Sequence, residues 1–213
     1  MEFLLAYNSL PPDVQRQRAD AVTGKLDEFL CDPVLRLSLA QAGAPNLDEI
    51  MNAPGHLALV ALGGGRNPKA QLIGRMLVSA IQGAAMARAD QPEASMVPCR
   101  LMVDEAQNTL NADSRVILAE GRRYRLGIIA SMQFVGSLEP ELRSSIEVNA
   151  STRFYFASSA SEATAIAREV VSSLPQNDVR RTLISAPVGC AVVIRRGQPA
   201  AYVQMPHFTR SSG

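Results

Sequence analysis

The chain contains no tryptophan, and aromatic residues make up only 5% of its 213 residues. Apolar residues still account for 47%, so one sizeable core can form, built from aliphatic side chains and methionine. Histidine is scarce too: His56 and His207 stand isolated, which argues against a zinc site. The cysteines at 31, 99 and 190 form no C-x-x-C motif, so we expect reduced thiols that serve as small apolar residues.

Long apolar runs and a strong charge imbalance are absent as well. No stretch reaches the ~18 apolar residues of a membrane-spanning helix, and the first residues lack the basic leader of a signal peptide. The net charge of +1 predicts neither a nucleic-acid coat nor a membrane-surface protein, although a local patch or pore loop could still contact DNA. We expect a soluble chain, or the soluble part of a larger protein.

Helix-like and strand-like segments alternate along the chain. Helices are predicted over 13–31, from Asp32-Pro33 to Gly43, at a short turn with Asn46 and Glu49 in capping-box spacing, and over 69–89, 112–123, 139–147 and 160–173. Strands are predicted over 56–62, 100–103, 126–130 and 153–156, and 190–195 with 200–204 form a terminal hairpin. This order predicts an α/β fold with a mostly parallel sheet, and the continuous apolar run 56–62 predicts a strand buried on both faces.

Two carboxylates follow the strand predicted at 100–103. Asp104 and Glu105 come directly after it, and ligands of open α/β sheets bind at the carboxyl ends of strands. Such a pair suits nucleotide hydrolysis, with Asp104 in the Mg²⁺ shell and Glu105 orienting or deprotonating the attacking water. The alternative is a strand that runs into a polar loop, and taken alone the string slightly favours that alternative.

The neighbouring strand adds a polar group in a matching place. Gln133 follows the apolar run 126–130, so its amide could contact a γ-phosphate or the water, or it could only cap a loop. Between the two strands lie Arg122 and Arg123, at a predicted helix end where cations are favoured in any case. They could form an arginine finger aimed at a neighbouring subunit's nucleotide, or a solvated helix terminus.

Five segments occur in an order that resembles a known family: 101–105, 107–108, 118–126, 130–133 and 148–149. Together they resemble the coupling-protein ATPases of conjugation and type IV secretion, which belong with the HerA/FtsK-like DNA pumps. The resemblance extends over about residues 20 to 208. It implies a helical segment over 1–45 and a partial RecA-like domain of the P-loop NTPase type over 46–213. It also implies ATP and Mg²⁺ as cofactors, and a hexameric ring that threads DNA through its pore.

The resemblance assigns roles to single residues. Asp104 matches the Walker B aspartate that holds the metal, Glu105 the catalytic glutamate, and Gln133 the polar sensor of the adjacent strand. Arg122 is the better match to the arginine finger, and Arg123 comes second. The implied partners are relaxosome or secretion-channel proteins. The implied location is the cytoplasm, at the inner face of the cell membrane, with membrane helices in an N-terminal segment that this sequence lacks.

The phosphate-binding loop of that family is not found in the sequence. The loop needs G-x-x-x-x-G-K-[ST], but Gly24-Lys25 is followed by Leu26, and the glycines at 63–65 lack the closing Gly-Lys-Ser/Thr. We therefore expect the first strand and its loop upstream of this sequence, and no ATP hydrolysis by the chain alone. One alternative is a non-catalytic interaction module derived from such an ATPase. A weaker one is a dinucleotide-binding protein that uses the Gly63 turn.

This hypothesis makes two structural predictions. Asp104, Glu105 and Gln133 should converge at the carboxyl edge of one parallel sheet, because both apolar runs end in polar groups. The run 126–130 should pair with 101–103. It should not pair with 153–156, since in RecA-like motors the strand before the phosphate loop lies between those two.

Overall fold

The computed structural model describes residues 6–33, 35–36, 43, 46–63, 67–170 and 175–206. In these ranges the strands are β1 (Cys99–Val103), β2 (Leu126–Ala130), β3 (Thr152–Tyr155), β4 (Cys190–Arg195) and β5 (Ala201–Gln204). The helices are α1 (Pro12–Leu30), α2 (Leu47–Asn52), α3 (Pro68–Met86), α4 (Arg115–Glu120), α5 (Pro140–Asn149), α6 (Ala160–Glu169) and α7 (Gln176–Ser185). The α/β class predicted from the sequence is therefore confirmed.

The strands form two separate sheets. β1 and β2 pair in parallel, from Cys99 opposite Leu126 to Val103 opposite Ala130. β3, β4 and β5 form an antiparallel sheet in that order. The prediction of a mostly parallel sheet is therefore wrong for the described residues, where one of three ladders is parallel. The turn between β4 and β5 is too short for the crossover that parallel strands require, so these two strands form the predicted hairpin.

The predicted pairing of 101–103 with 126–130 is confirmed by the β1–β2 ladder. Among the described residues, no ladder joins β2 to β3. Both strands thus have an edge without a hydrogen-bonded neighbour in this part of the chain. The prediction that 126–130 does not pair with 153–156 is therefore confirmed for the described residues.

The apolar run 56–62 is not a strand. Leu57, Leu59 and Val60 are 81%, 86% and 57% exposed, and the segment joins neither sheet. The prediction of a doubly buried strand is therefore wrong. Hydrophobic residues favour burial, but a strand also needs a neighbour whose backbone groups satisfy its own, and the sequence of the run does not supply that neighbour.

The helix starts follow side-chain capping. The Asp48 N–H donates to Asn46 Oδ1 at 3.0 Å where α2 begins, and the Lys69 N–H donates to Asn67 Oδ1 at 3.0 Å at the start of α3. The helix predicted from Asp32-Pro33 to Gly43 lies mostly outside the described residues. Within the described ranges, no helix has the length and apolarity needed to cross a bilayer.

The predicted helix 112–123 is divided into three parts. A 3₁₀ turn, Ala112–Ser114, leads into α4, and a second 3₁₀ turn, Gly121–Tyr124, connects α4 to β2. We call this second turn the arginine-bearing turn, because it contains Arg122 and Arg123. It places both arginines directly before the start of β2.

Among the described residues, helices cover one face of the β1–β2 sheet and leave the other exposed. On that face, partly buried Leu101 and Val103 pack against apolar clusters that include Val78 of α3 and Ile117 of α4. On the other face Met102 is 72% exposed and Ile129 is 50% exposed. A third cluster joins α6 and α7 to the antiparallel sheet; its buried members are Ala163, Ile166, Ala167, Val170, Val179, Leu183 and Val192.

Candidate functional site

The chain leaves β1 in a tight turn at Asp104 and Glu105. Glu105 has φ +50° and ψ +47°, a left-handed conformation that costs a residue with a side chain on the order of 1 kcal/mol. Its N–H donates to Asp104 Oδ1 at 3.0 Å, and the Ala106 N–H donates to the Ser131 carbonyl at 2.8 Å. The turn is therefore fixed to the residue that follows β2. Strained backbone of this kind concentrates at functional sites.

Side chains from both strand ends meet at this turn. Gln133 Nε2 donates to Glu105 Oε1, and Ser131 Oγ donates to Asp104 Oδ1. Because β1 and β2 are parallel, both strand ends lie at the carboxyl edge of the sheet. The predicted convergence of Asp104, Glu105 and Gln133 at that edge is confirmed.

The sequence reasoning assigned no role to two further members of the site. Ser131 lies opposite Asp104, since Ala130 pairs with Val103 and both chains continue by one residue. Gln107 Nε2 donates to Glu105 Oε2, and its Oε1 is buried without a hydrogen-bond partner in the described structure. The register of β1 against β2 places Ser131 opposite Asp104, but the sequence does not give that register. Gln107 depends on the turn geometry, which the sequence did not indicate.

The donor set suits a hard cation held partly by water. Asp104 is exposed, and within the described structure its Oδ2 accepts no hydrogen bond, whereas Oδ1 accepts two. In the same part of the chain, no group of three or more Asp, Glu, His or Cys side chains gathers into a metal site. Mg²⁺ is commonly bound by one or two carboxylates and several waters, so Asp104 with the Ser131 hydroxyl fits its requirements.

Glu105 is placed to hold a water molecule. It is half-buried, and each carboxylate oxygen accepts one amide hydrogen, from Gln133 and from Gln107. A carboxylate has about four lone-pair sites, so each oxygen keeps capacity for one more donor. The two amides fix the orientation of the carboxylate, and a water beside Gln133 would find an acceptor already in place.

Arg122 and Arg123 do not join this cluster. The arginine-bearing turn precedes β2, whereas Gln133 follows it, and the strand rise puts roughly 15–20 Å between the two ends. The guanidinium carbon of Arg123 lies 5.9 Å from the centre of the Tyr124 ring. Arg122 is exposed, and no hydrogen bond or ion pair ties its guanidinium to the described residues. Within one chain the predicted site residues therefore form two groups at opposite ends of the sheet: the carboxylates with Gln133, and the two arginines.

A half-open cavity of about 380 Å³ lies next to the carboxylates. Its walls are residues 60–63, α3 and β1, and no residue of β2 lines it. Most of the lining is aliphatic, and Asp104, Glu105, Asn108 and Thr109 form a polar end. The cavity follows the side of β1 that β2 leaves free.

Of the three glycines at 63–65, only Gly63 lies within the described structure. Gly63 has φ +70°, as a tight turn requires, and the next three residues lie outside the described structure. Lys69, the lysine nearest this turn, forms an ion pair with Asp32. Within the described ranges, the carboxylates and amides offer groups for a cation and a water molecule, and Lys69 is paired with Asp32.

No family model matches the chain, and no curated protein matches it. The resemblance to coupling-protein ATPases therefore rests on the quoted sequence motifs alone.

Proposed function

We propose that the chain is the C-terminal part of an ATP-driven DNA translocase of the coupling-protein kind. One observation carries this proposal. Asp104 and Glu105 follow one strand, and Ser131 and Gln133 follow its parallel neighbour. Ser131 donates a hydrogen bond to the Asp104 carboxylate, and Gln133 donates one to the Glu105 carboxylate. Carboxylates followed by a polar amide on the adjacent strand supply the metal, water and sensor groups of phosphoryl transfer.

In this proposal Asp104 binds Mg²⁺, which would neutralise charge on the phosphates, and Ser131 orients the aspartate. Glu105 accepts a proton from the attacking water, whose oxygen forms the new bond to the γ-phosphorus as the bond to ADP breaks. Gln133 holds Glu105 and lies where it could contact the γ-phosphate. The left-handed turn at Glu105 gives the carboxylate a fixed direction before substrate arrives, which is the preorganisation such catalysis needs.

Arg122 acts on the nucleotide of a neighbouring subunit. It lies at the other end of β2 from Glu105, so it cannot complete the site of its own chain. Its guanidinium is exposed and has no hydrogen-bond or ion-pair partner among the described residues, whereas the Arg123 guanidinium lies over the Tyr124 ring. This difference favours Arg122 over Arg123 as the finger. A site shared between subunits implies a ring, and the hexamer rests on the family resemblance.

The RecA-like architecture belongs to this proposal as well. Its support is the parallel β1–β2 pair and the lack of a β2–β3 ladder among the described residues, as expected if a further strand with a phosphate loop belongs between them. DNA as the cargo, relaxosome or secretion-channel proteins as partners, and a place at the inner face of the membrane rest on the resemblance. The cofactors of the assembled protein are ATP and Mg²⁺.

Phosphate release from ATP tests the proposal. The purified chain should release no phosphate above background, because it lacks the amides and lysine that hold the β- and γ-phosphates. In an assembly that provides a G-x-x-x-x-G-K-[ST] loop, we expect turnover that Glu105→Gln abolishes. Turnover by the purified chain that is lost in Glu105→Gln would contradict the account, since it requires a phosphate loop within these residues.

A second function is favoured by the same missing loop: a non-catalytic interaction module that docks on a complete ATPase. Two results separate the alternatives. An in-frame G-x-x-x-x-G-K-[ST] in the coding sequence upstream of Met1 supports the translocase. Tight binding of the chain to a complete ATPase, unaffected by Glu105→Gln and Arg122→Ala, supports the module.

A further inference from the structure

Arg88 is buried to an unusual degree for a charged residue. It follows α3, and 1% of it is exposed, the lowest value for a charged side chain among the described residues. Arginine keeps its charge in proteins, and burying an unpaired charge is costly. A guanidinium at this position therefore requires a set of acceptors.

Those acceptors are backbone carbonyls. In the described part of the chain no carboxylate forms an ion pair with Arg88. Nη1 donates to the carbonyls of Val97 and Tyr124, each at 3.1 Å, and Nη2 donates to the carbonyl of Met51. One side chain thus connects three segments that are distant in sequence: α2, the residues before β1, and the arginine-bearing turn.

The location of these carbonyls explains the lack of a carboxylate. Met51 lies in the last turn of α2, and Tyr124 ends the 3₁₀ turn. The last carbonyls of a helical turn have no partner within it and carry partial negative charge, which favours a cation. Arg88 donates at once to the carbonyl of Met51 at the end of α2 and to that of Tyr124 at the end of the arginine-bearing turn. A planar guanidinium with several N–H donors is suited to this, whereas the single ammonium of a lysine is not.

We infer that Arg88 is a positioning residue that fixes the arginine-bearing turn against the start of β1 and so determines where Arg122 stands. The inference deepens the proposed function and rests on it, because the place of Arg122 matters to activity only if it acts on a nucleotide. Arg88 touches Tyr124, two residues from Arg122, and does not touch the reacting atoms.

Other contacts show that the turn has little freedom. A Cβ on Gly121 would lie 3.0 Å from the Leu126 carbonyl oxygen, so the backbone approaches β2 closely there. Arg125, with φ +53°, directly follows the turn; its carbonyl accepts the Cys99 N–H at 2.9 Å, and its Nη1 donates to the Met96 carbonyl at 3.3 Å. Arg88 adds the link from this turn to α2 and α3.

Amide hydrogen exchange on the full chain tests the placement of the turn. The variants are Arg88→Met, which removes the donors of all three hydrogen bonds, and Arg88→Lys. The control is Arg75→Lys, at an exposed position of the preceding helix α3. The reporters are the N–H groups of Arg125 and Cys99. We expect roughly tenfold faster exchange of both in Arg88→Met, a smaller acceleration in Arg88→Lys, and no change in Arg75→Lys or in the β4 amides.

Two exchange results overturn the inference. Reporter amides that exchange at the wild-type rate in Arg88→Met would show that the turn does not depend on Arg88. Equal acceleration in β4 would show a general loss of stability in place of a local release of the turn.

Steady-state ATP hydrolysis in the assembled protein tests the link to Arg122. We expect Arg88→Lys to lower kcat about tenfold with KM unchanged, and the double variant with Arg122→Ala to be no slower than Arg122→Ala alone. Additive losses would overturn the positioning role. If wild-type assemblies hydrolyse no ATP, the proposed function fails, and hydrogen exchange still decides whether Arg88 fixes the turn.

Discussion

At the scale of single residues, Glu105 combines a strained backbone with a held carboxylate. Its left-handed conformation is one that glycine adopts without strain, whereas a residue with a Cβ pays on the order of 1 kcal/mol. The carboxylate nevertheless stands where amides from Gln133 and Gln107 meet it. A side chain retained at a strained position is consistent with a chemical role. The strain also allows the backbone and side-chain contributions of residue 105 to stability to be measured separately.

Glu105→Gly and Glu105→Ala both remove the carboxylate, but only glycine relieves the backbone. In regular structure glycine is less stable than alanine by about 0.5–1 kcal/mol. At this position we expect the reverse, with Glu105→Gly more stable than Glu105→Ala by about 1 kcal/mol in urea unfolding. An alanine variant as stable as the glycine variant would mean that position 105 does not adopt the left-handed conformation.

Tyr155 on β3 is held in a polar cluster on the antiparallel sheet. Its hydroxyl donates to Glu169 Oε2 at 3.1 Å, and Arg153 Nη1 donates to the same oxygen at 2.7 Å. Burial raises the pKa of the Tyr155 hydroxyl above its ordinary value, and the Glu169 charge raises it further, whereas Arg153 lowers it. The folded chain therefore keeps this proton at a pH where the unfolded chain loses it.

This difference predicts a loss of stability in alkali. Because the folded-state pKa lies above the unfolded value of about 10, the stabilisation is complete below pH 10 and declines as the pH rises beyond it. Between pH 9 and 11 we expect the free energy of unfolding of the wild type to fall by about 1 kcal/mol more than that of Tyr155→Phe. The exposed Tyr202→Phe serves as control and should keep the wild-type slope. Equal slopes for wild type and Tyr155→Phe would remove this explanation.

At the scale of elements, the sequence predicted best where local chemistry decides the outcome. The strand 126–130 and the hairpin strand 190–195 match β2 and β4 in their bounds, because turn residues bracket short β-rich runs. Asn46 caps α2 as expected. The convergence of the site residues also followed from local order, since parallel strands that end in polar residues bring those residues together.

Features that depend on tertiary partners were not predicted. α7 was missed, although Val179 and Leu183, four residues apart and both fully buried, form its apolar stripe. The antiparallel direction of β3 and β4 cannot be read from either strand alone. The left-handed turn at Glu105 has no local sequence marker, because glutamate carries no preference for it. The run 56–62 was predicted as a strand, but no strand of the described structure pairs with it.

The exposure of that run can be measured. Leu59 is 86% exposed, so Leu59→Lys should change the free energy of unfolding by no more than about 0.5 kcal/mol. Leu142 on α5 is 1% exposed, and Leu142→Ala should cost roughly 2–5 kcal/mol. Urea unfolding of the two variants beside the wild type makes the comparison. A loss above about 2 kcal/mol in Leu59→Lys would show that the run is buried, as the sequence predicted.

At the scale of the whole molecule, the proposed site needs more than one chain. Asp104 and Glu105 lie at the carboxyl edge of the β1–β2 sheet, and Arg122 lies beyond its amino edge. A heterologous ring contact is the arrangement that brings these two ends together between neighbours. The acidic and basic halves of the site then come from different subunits.

Mixed assemblies test that arrangement. In an assembly of one variant, Glu105→Gln should abolish ATP hydrolysis, and Arg122→Ala should leave a residual rate about 10³-fold below that of the wild type. Mixing the two variants should restore part of the activity, because some interfaces then join an intact Glu105 to an intact Arg122. No restoration on mixing, with both variants shown to assemble, would place the arginine and the carboxylate in the same subunit's site or outside catalysis.

The central claim is that Asp104, with Ser131 and Glu105 beside it, holds a divalent cation at the carboxyl edge of the parallel sheet. Titrating Mn²⁺, which shares the oxygen preference of Mg²⁺, into the isotopically labelled chain tests this most directly, because paramagnetic broadening marks amides near the ion. We predict that the amides of residues 104–106 and 131–133 broaden first, that added Mg²⁺ reverses the effect, and that Asp104→Asn abolishes it. Broadening that is strongest elsewhere, or that persists unchanged in Asp104→Asn, would contradict the account.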